Sequence, residues 1–167
     1  MSSQAILGSR QLREHVKSVL YIDDKNYENP QDYVRRNRYF FTSDLPAAVS
    51  EEGSISIDDL QRAVSEMMTP LSASVPETPK ASTGITCLAL KEKLDQSTST
   101  YAAAIEAACL EQVSGEGEEA TALLKTWRAS IHRYLREKLL FGLPGPGNSQ
   151  VMAVLGYREC CRRLGIE

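Results

Sequence analysis

Four basic side chains recur at helical spacing within the segment 121–140. Lys125, Arg128, His132 and Arg136 follow one another at steps of three, four and four residues, and the segment is almost free of acids. Such steps place the four side chains on one face of an α-helix. A row of cations binds phosphates by displacing their counterions, whereas a charged face without a partner is simply solvated. The stripe therefore indicates contact with nucleic acid, with a solvated face as the alternative.

An apolar stripe lies beside the basic one on the same predicted helix. Its members, also at helical spacing, are Leu124, Trp127, Ile131, Leu135 and Leu139. An apolar face of this kind packs against the rest of a helical protein. We therefore expect Trp127 to belong to the core and not to form a stacking platform for a base.

A Gly/Pro-rich loop, FGLPGPG at 141–147, follows this helix. No strand precedes it and it lacks the Lys-Ser/Thr pair of a nucleotide-binding loop, so we do not expect it to cradle phosphate. Glycine permits tight turns and proline restricts the backbone, which predicts a sharp corner between two helices. The corner is expected to place basic residues from both sides around one surface that contacts nucleic acid. These residues are Arg136 before the loop and Arg158, Arg162 and Arg163 after it.

Residue types with catalytic or metal-binding chemistry show no matching pattern. His15 and His132 have no nucleophile, orienting acid or metal ligand at a recognisable spacing. Paired acids such as Asp58 and Asp59 suit first helical turns, where capping and solvation account for them. The cysteines lack CxxC spacing and are expected to be reduced thiols. They are Cys87, Cys109, Cys160 and Cys161. The sequence thus predicts neither a catalytic residue nor a metal site.

Charge is distributed unevenly along the 167 residues, although the net charge is only −3. Residues 1–43 sum to +2, residues 44–120 to −10 and residues 121–167 to +5. A polyanion would therefore be attracted to the two ends and repelled by the middle. No apolar run approaches the roughly 20 residues of a membrane span, and the first residues lack the pattern of a signal peptide.

The spacing of apolar residues between the prolines predicts an all-α protein of about eight helices. The predicted helices are 9–20, 30–41, 56–68, 85–96, 101–113, 116–140, 148–155 and 157–164. Three starts have a chemical reason: Asn29 precedes Pro30, Ser56 precedes two acids, and Ser99 or Thr100 is placed to cap the Ala-rich segment.

The segment TPLSASVPETPKASTG, residues 69–84, is rich in Pro, Ser and Thr and has no apolar periodicity. It predicts a flexible linker or insertion between two small helical lobes, 1–68 and 85–167. The SGEGEE segment at 114–119 predicts only a turn, because its acids would repel phosphate.

Residues 135–164, LREKLLFGLPGPGNSQVMAVLGYRECCRRL, resemble the closing motif of bacterial-type and mitochondrial glutamyl-tRNA synthetases. The matching pattern is a helix with Leu-Arg, a turn with Gly-Pro, and a helix with Leu-Gly before a final Arg-Leu. A weaker match lies upstream, where LREHVKSVLYIDD at 12–24 and NRYFF at 37–41 resemble the start of the anticodon-binding region of that family. The matching residues of the closing motif are Leu135, Arg136, Gly142, Gly145, Pro146, Met152, Leu155, Gly156, Arg158, Arg163 and Leu164.

The resemblance implies a helical cage of class I synthetase anticodon-binding type that grips the anticodon arm of glutamate tRNA. Its role would lie in glutamyl-tRNA aminoacylation for protein synthesis, with neither DNA nor membrane as a partner. The ATP-binding HIGH-type and KMSKS-type signatures are absent. ATP and Mg²⁺ would therefore belong to a catalytic domain that is missing or separately encoded, and this chain alone is expected to be non-catalytic. The form of the loop is similar to fungal mitochondrial members, which implies the mitochondrial matrix, with the cytoplasm as the alternative because no transit peptide is visible.

Arg136, in the matched Leu-Arg pair, is the foremost candidate for tRNA binding. Arg38 follows, because it stands beside an aromatic segment, Tyr39 to Phe41, whose rings are themselves expected in the core. The family often has Arg where this chain has His15, and this departure weakens the expectation of tRNA contact from the first helix, where Arg13 is the predicted residue. The full predicted set is Arg136, Lys125, Arg128, His132, Arg38, Arg13, Arg158, Arg162 and Arg163.

Two other functional classes stay open from the residues alone. An all-helical protein-interaction module would use the acidic middle of the chain, and an unrelated helical enzyme would have a site that no motif reveals. The pattern at 135–164 favours tRNA binding over both.

Overall fold

The computed structural model describes residues 9–22, 27–42, 44, 46, 55–71 and 87–166. Seven α-helices and one 3-10 turn form in these ranges, and none of the described residues is in a strand. The fold is therefore all-α, as predicted. The helices are α1 Ser9–Ile22, α2 Pro30–Arg36, α3 Ile57–Leu71, α4 Cys87–Gln112, α5 Glu118–Leu140, α6 Asn148–Leu155 and α7 Tyr157–Leu164, and the 3-10 turn is Arg38–Phe40.

Two helix starts form as their capping residues predict. Asn29 accepts a hydrogen bond from the backbone N–H of Asp32 at 2.9 Å, with Pro30 in the first turn. Ser56 Oγ accepts from the N–H of Asp59 at 3.2 Å. Each side-chain oxygen thereby pairs one of the N–H groups that a helix start leaves without an intrahelical acceptor.

The prediction of two helices over 85–113 is wrong, because α4 runs without a break from Cys87 to Gln112. Ser99 and Thr100 lie inside it and do not cap a new helix. The polar stretch 96–100 contains neither Gly nor Pro, and the helix propensities of Ser and Thr cost only tenths of a kcal/mol per residue. Packing of α4 against α3, α5 and α6 is enough to hold the helix through it.

One hydrophobic core joins the two segments predicted as separate lobes. Val19 of α1 and Leu60 of α3 belong to the same buried cluster as Ile131 of α5 and Leu164 of α7. Helix α3 itself extends to Leu71, which is buried, and so enters the predicted linker 69–84. The rest of that predicted linker, 72–84, lies outside the described residues.

Arg163 of α7 is buried, with 2% of its surface exposed. Its Nη1 donates to the carbonyl of Leu139 at 2.8 Å, and its Nη2 donates to the carbonyls of Tyr39 and Thr42. Nε donates to the carboxylate of Glu159 at 2.9 Å. One side chain thus joins α7 to the end of α5 and to the turn after α2.

Glu159 provides the counter-charge for Arg163 from the preceding turn of α7. Burial alone would raise the pKa of this carboxyl, but hydrogen bonds from Arg162 and Arg163 outweigh burial and lower its pKa. Burial in turn lowers the pKa of the Arg163 guanidinium. A charge this deep is tolerated only when it is paired and its donors are used, and the contacts to Glu159 and to three carbonyls meet both conditions.

The Gly/Pro-rich loop forms the predicted corner between α5 and α6. Phe141 ends α5 in the left-handed region with φ of 55°, and Gly142 continues the turn with φ of 74°. Gly145 then passes directly over the side chain of Tyr39, and a Cβ at this position would overlap the Tyr39 hydroxyl. The loop closes because residue 145 has no side chain.

Replacing Arg163 by methionine is expected to lower the free energy of unfolding by about 3–5 kcal/mol, because Glu159 loses its buried partner and three carbonyls lose their donor. Arg162→Met is the matched control: it contacts the same carboxylate from an exposed position and is expected to cost about 1 kcal/mol or less. Urea unfolding followed by circular dichroism measures both. Equal losses would contradict the role given to Arg163.

Gly145→Ala is expected to destabilise the protein by about 1–3 kcal/mol, because the new methyl group overlaps a buried tyrosine. Gly147→Ala serves as the control, since its Cβ would meet nothing closer than Gln150 Oε1 at 3.9 Å and its φ of −60° suits alanine. Gly147 is also the N-cap of α6, where alanine is less favourable than glycine, so the loss of unfolding free energy should stay below about 1 kcal/mol. The same unfolding measurement separates the two, and an unchanged Gly145→Ala variant would refute the close approach.

Candidate nucleic-acid interface

A cleft of about 840 Å³ opens between α4, α5 and the start of α6. This volume lies within the range of small-ligand sites in proteins. Three arginines and two glutamates contribute to its wall, so fixed charge of both signs meets there. The lining residues are Tyr101, Ala102, Ile105, Glu106, Arg128, His132, Arg133, Arg136, Glu137, Gly142, Gly147, Asn148 and Ser149.

Three of the four residues of the predicted basic stripe line this cleft: Arg128, His132 and Arg136. Lys125 is exposed earlier on the same helix and is not part of the lining. Arg133, which the sequence did not single out, adds a further guanidinium. The helical spacing therefore predicted one wall of the cleft, and the other walls come from α4 and α6.

Arg128 is held across the cleft wall by a bidentate ion pair with Glu106 of α4. Nε donates to Oε2 at 2.8 Å and Nη2 donates to Oε1 at 2.7 Å. The hydrogen bond from Arg128 lowers the pKa of Glu106, so this carboxyl stays ionised at neutral pH. Both side chains keep close to half of their surface exposed, so the pair adds little to stability but does fix the direction of the guanidinium.

Arg136 lies where the cleft meets the loop. Nη2 donates to the carbonyl of Gly145 at 2.8 Å, and Nη1 donates to the carbonyl of Pro146 at 3.3 Å and to Oδ1 of Asn148 at 3.4 Å. These contacts use three of the five N–H donors of a guanidinium. Nε and one hydrogen of Nη2 remain for a ligand, since no contact to another described residue involves them.

Asn148, Tyr101 and His132 form a hydrogen-bonded chain along the cleft. Asn148 Nδ2 donates to the Tyr101 hydroxyl at 3.3 Å and to the carbonyl of His132 at 3.2 Å, and the Tyr101 hydroxyl lies 3.1 Å from Nδ1 of His132. Burial raises the pKa of Tyr101 to about 12, so its hydroxyl keeps its proton. Desolvation of the ring lowers the pKa of His132, so the imidazole is neutral at pH 7.

The sequence did not predict Tyr101, Glu106 or Asn148 as part of the site. Tyr101 meets its partners His132 and Asn148 across 31 and 47 residues of sequence. Tyrosine at the head of an Ala-rich segment and asparagine after a loop are both common, so no local pattern marks them. Only the packing of α4 against α5 and α6 brings them together.

The remaining predicted basic residues do not line the cleft. Four of them are exposed elsewhere: Arg13 on α1, Arg38 in the 3-10 turn, and Arg158 and Arg162 on α7. Arg163 is buried, so the prediction that it faces an exposed RNA-binding surface is wrong. The reason is the set of backbone carbonyls described above, which draw its guanidinium inward and use its donors.

The apolar predictions hold in this region. Trp127 is 7% exposed and lies in the core, as do Tyr39 and Phe40, while Phe41 packs against the core from a half-buried position. No ring of this set is therefore exposed as a platform for a base.

Three of the four cysteines, Cys109, Cys160 and Cys161, are buried, and none of the three forms a disulfide. The side chain of Cys87 lies outside the described residues. Within the described ranges, no group of three or more His, Cys, Asp or Glu side chains is arranged to hold a metal ion. The helices of those ranges also include none that combines the length and apolar character of a membrane span.

No protein-family model, curated protein or solved structure matches this chain. The resemblance to glutamyl-tRNA synthetases therefore rests on the motif residues themselves and stays a prediction.

The other histidine, His15, also has a lowered pKa. Burial lowers its pKa, although its ring lies 2.7 Å from the carbonyl of Phe40, a contact that acts in the opposite direction. Its ring packs edge-on against those of Phe40 and Phe41. A proton on this ring would be buried beside the cationic Arg163, which further lowers the pKa.

The free energy of unfolding is expected to fall as the pH drops from about 7 through 6.5. Both folded-state histidine pKa values lie below the ordinary value of 6.5, so the unfolded chain takes up protons first and is favoured as pH falls. Urea unfolding at a series of pH values measures the slope. His15→Gln should remove more of the slope between pH 7 and 5 than His132→Gln, because His15 is the more deeply buried, and an unchanged slope in His15→Gln would contradict this.

Proposed function

We propose that this chain is the anticodon-arm-binding portion of a glutamate-tRNA ligase and that it binds RNA at the cleft between α4, α5 and α6. The observation that carries the proposal is the contact of Arg136 with Gly145 and Pro146. All three are matched positions of the closing motif, and they meet at one edge of a cleft lined by arginines.

Other matched positions of the motif stabilise the corner between α5 and α6 and the passage from α6 to α7. Leu135, Met152, Leu155 and Leu164 are buried in the core, and Gly156 has a φ of 85° where α6 passes into α7. These residues account for the shape of the motif, whereas Arg136 is the one whose guanidinium faces the cleft. The motif thus combines a folding element with one ligand-facing cation.

Electrostatics favour a polyanion at this position despite the net charge of the chain. The cleft wall carries three arginines against Glu106 and Glu137, and the exposed Lys125 extends the positive face along α5. Phosphates of an RNA loop displace the counterions of such a face, so binding weakens as salt rises. A concave site also suits splayed single-stranded nucleotides better than the regular surface of a duplex.

In this proposal the chain positions tRNA and does not perform the chemistry. ATP and Mg²⁺ belong to the nucleotide-binding domain of the ligase, and no residue here is assigned to either. The similarity of the loop to fungal mitochondrial members makes the mitochondrial matrix the proposed compartment.

Glu106 competes with RNA phosphates for Arg128, because its carboxylate already binds the guanidinium. Glu106→Gln should therefore bind a glutamate-tRNA anticodon stem-loop about two- to fivefold more tightly, since the phosphate no longer displaces a carboxylate. Glu111→Gln makes the same change of charge on the same helix, at an exposed position outside the cleft lining, and should change the affinity less. Fluorescence anisotropy at 50 and 200 mM salt measures both variants and the parent protein.

For about three phosphate contacts, the affinity of the parent protein should fall about 20-fold between these two salt concentrations. Arg136→Ala should bind about tenfold more weakly or worse, with its fold checked by circular dichroism because Arg136 also holds the loop. Absent or salt-independent binding by folded protein would refute RNA binding. Equal effects of Glu106→Gln and Glu111→Gln would place the RNA elsewhere on the protein.

A further inference from the structure

The hydrogen bonds around Asn148 determine the orientation of its amide. Oδ1 accepts from a guanidinium, that of Arg136, and Nδ2 donates to a backbone carbonyl, that of His132. Exchanging O and N would oppose donor to donor and acceptor to acceptor. Nδ2 therefore donates to the Tyr101 hydroxyl as well.

The orientation of Asn148 in turn fixes the proton positions on Tyr101 and His132. The Tyr101 oxygen accepts from Asn148, and this buried hydroxyl has one other partner among the described residues, Nδ1 of His132 at 3.1 Å. Its hydrogen is therefore directed to Nδ1, where it has an acceptor. Nδ1 is then an acceptor, and the neutral ring carries its hydrogen on Nε2. His132 is exposed at the cleft, and Nε2 has no partner among the described residues.

We propose that His132 is a fixed hydrogen-bond donor for an acceptor atom of one nucleobase, a ring nitrogen or a carbonyl oxygen, in an RNA nucleotide seated in the cleft. Tyr101 and Asn148 are the positioning residues that hold the donor in this state. The proposal rests on the proposed function, and it adds the group that contacts the base and the two residues that orient it.

Different side chains of the cleft suit the phosphate and the base of a bound nucleotide. Arg128, Arg133 and Arg136 supply the charged forks that suit phosphate oxygens. A neutral imidazole offers one N–H and no charge, so it adds little to phosphate binding but matches a single acceptor on a base edge. A site that hydrogen-bonds a base also rejects a ligand lacking the acceptor, because the donor is then left without a partner.

The state of His132 is directly measurable, because the chain has two histidines. Long-range ¹H–¹⁵N NMR of the free protein at pH 7.5 should show His132 with its hydrogen on Nε2. Tyr101→Phe removes the group that donates to Nδ1 and should give a mixture of the two neutral tautomers. Tyr21→Phe is the control, since it removes an exposed hydroxyl from α1. A mixed or Nδ1-protonated His132 in the parent protein would overturn the proposal.

Binding to the anticodon stem-loop tests whether His132 donates a hydrogen bond to a base. Replacing each loop nucleotide in turn by an abasic one should reveal a position where the parent protein loses about five- to tenfold in affinity, the value of one hydrogen bond. Tyr101→Phe and His132→Phe should lose most of this preference while retaining the salt dependence. Tyr101→Phe should add nothing in the His132→Phe background, since both changes remove the same contact.

The outcomes distinguish this inference from the proposed function. Salt-dependent binding with the abasic preference unchanged in both variants would refute the role of His132 and leave RNA binding intact. Absence of RNA binding by folded parent protein would refute the proposed function, and the inference with it. Loss of preference together with salt-dependent binding would support both.

Discussion

The buried guanidinium of Arg163 is the interaction on which the rest of the structure depends. It donates to three backbone carbonyls in two segments: those of Tyr39 and Thr42 in the turn after α2, and that of Leu139 at the end of α5. It also lies 5.2 Å from the centre of the Phe141 ring, where a cation–π contact forms at the residue that ends α5. A guanidinium presents five N–H donors in a fixed planar arrangement over three nitrogens, whereas an ammonium group has only three donors on one nitrogen.

The contacts of Arg163 also determine the geometry of the cleft. Fixing the end of α5 and the turn at Tyr39 determines where the loop crosses, and the absence of a side chain on Gly145 lets it cross against Tyr39. The carbonyls of Gly145 and Pro146 then face Arg136, and α6 starts with Asn148 next to Tyr101. Buried packing on one side of the corner thus orients polar groups on the other side, as a binding surface on a rigid scaffold requires.

Local features of the fold followed from the sequence, and long-range ones did not. The caps at Asn29 and Ser56, the apolar stripe with Trp127 and the corner at 141–147 each depend on neighbours within one or two turns. The continuous helix α4 was missed because tertiary packing overrides a weak local propensity. Arg163 was misassigned because a basic residue has the same pattern in sequence whether its partners are phosphates or distant carbonyls. For the same reason the chain from Asn148 to His132 could not be found without the packing of three helices.

The sequence separation of the Arg163 contacts has a consequence for synthesis. The carbonyl of Tyr39 meets its donor 124 residues later, and at ribosomal rates about 6–25 s pass between the two. Through that interval the carbonyl of Tyr39 lacks the buried guanidinium that donates to it in the folded protein. The turn after α2 therefore cannot complete its native hydrogen bonds until α7 has been synthesised, although its own residues are made early.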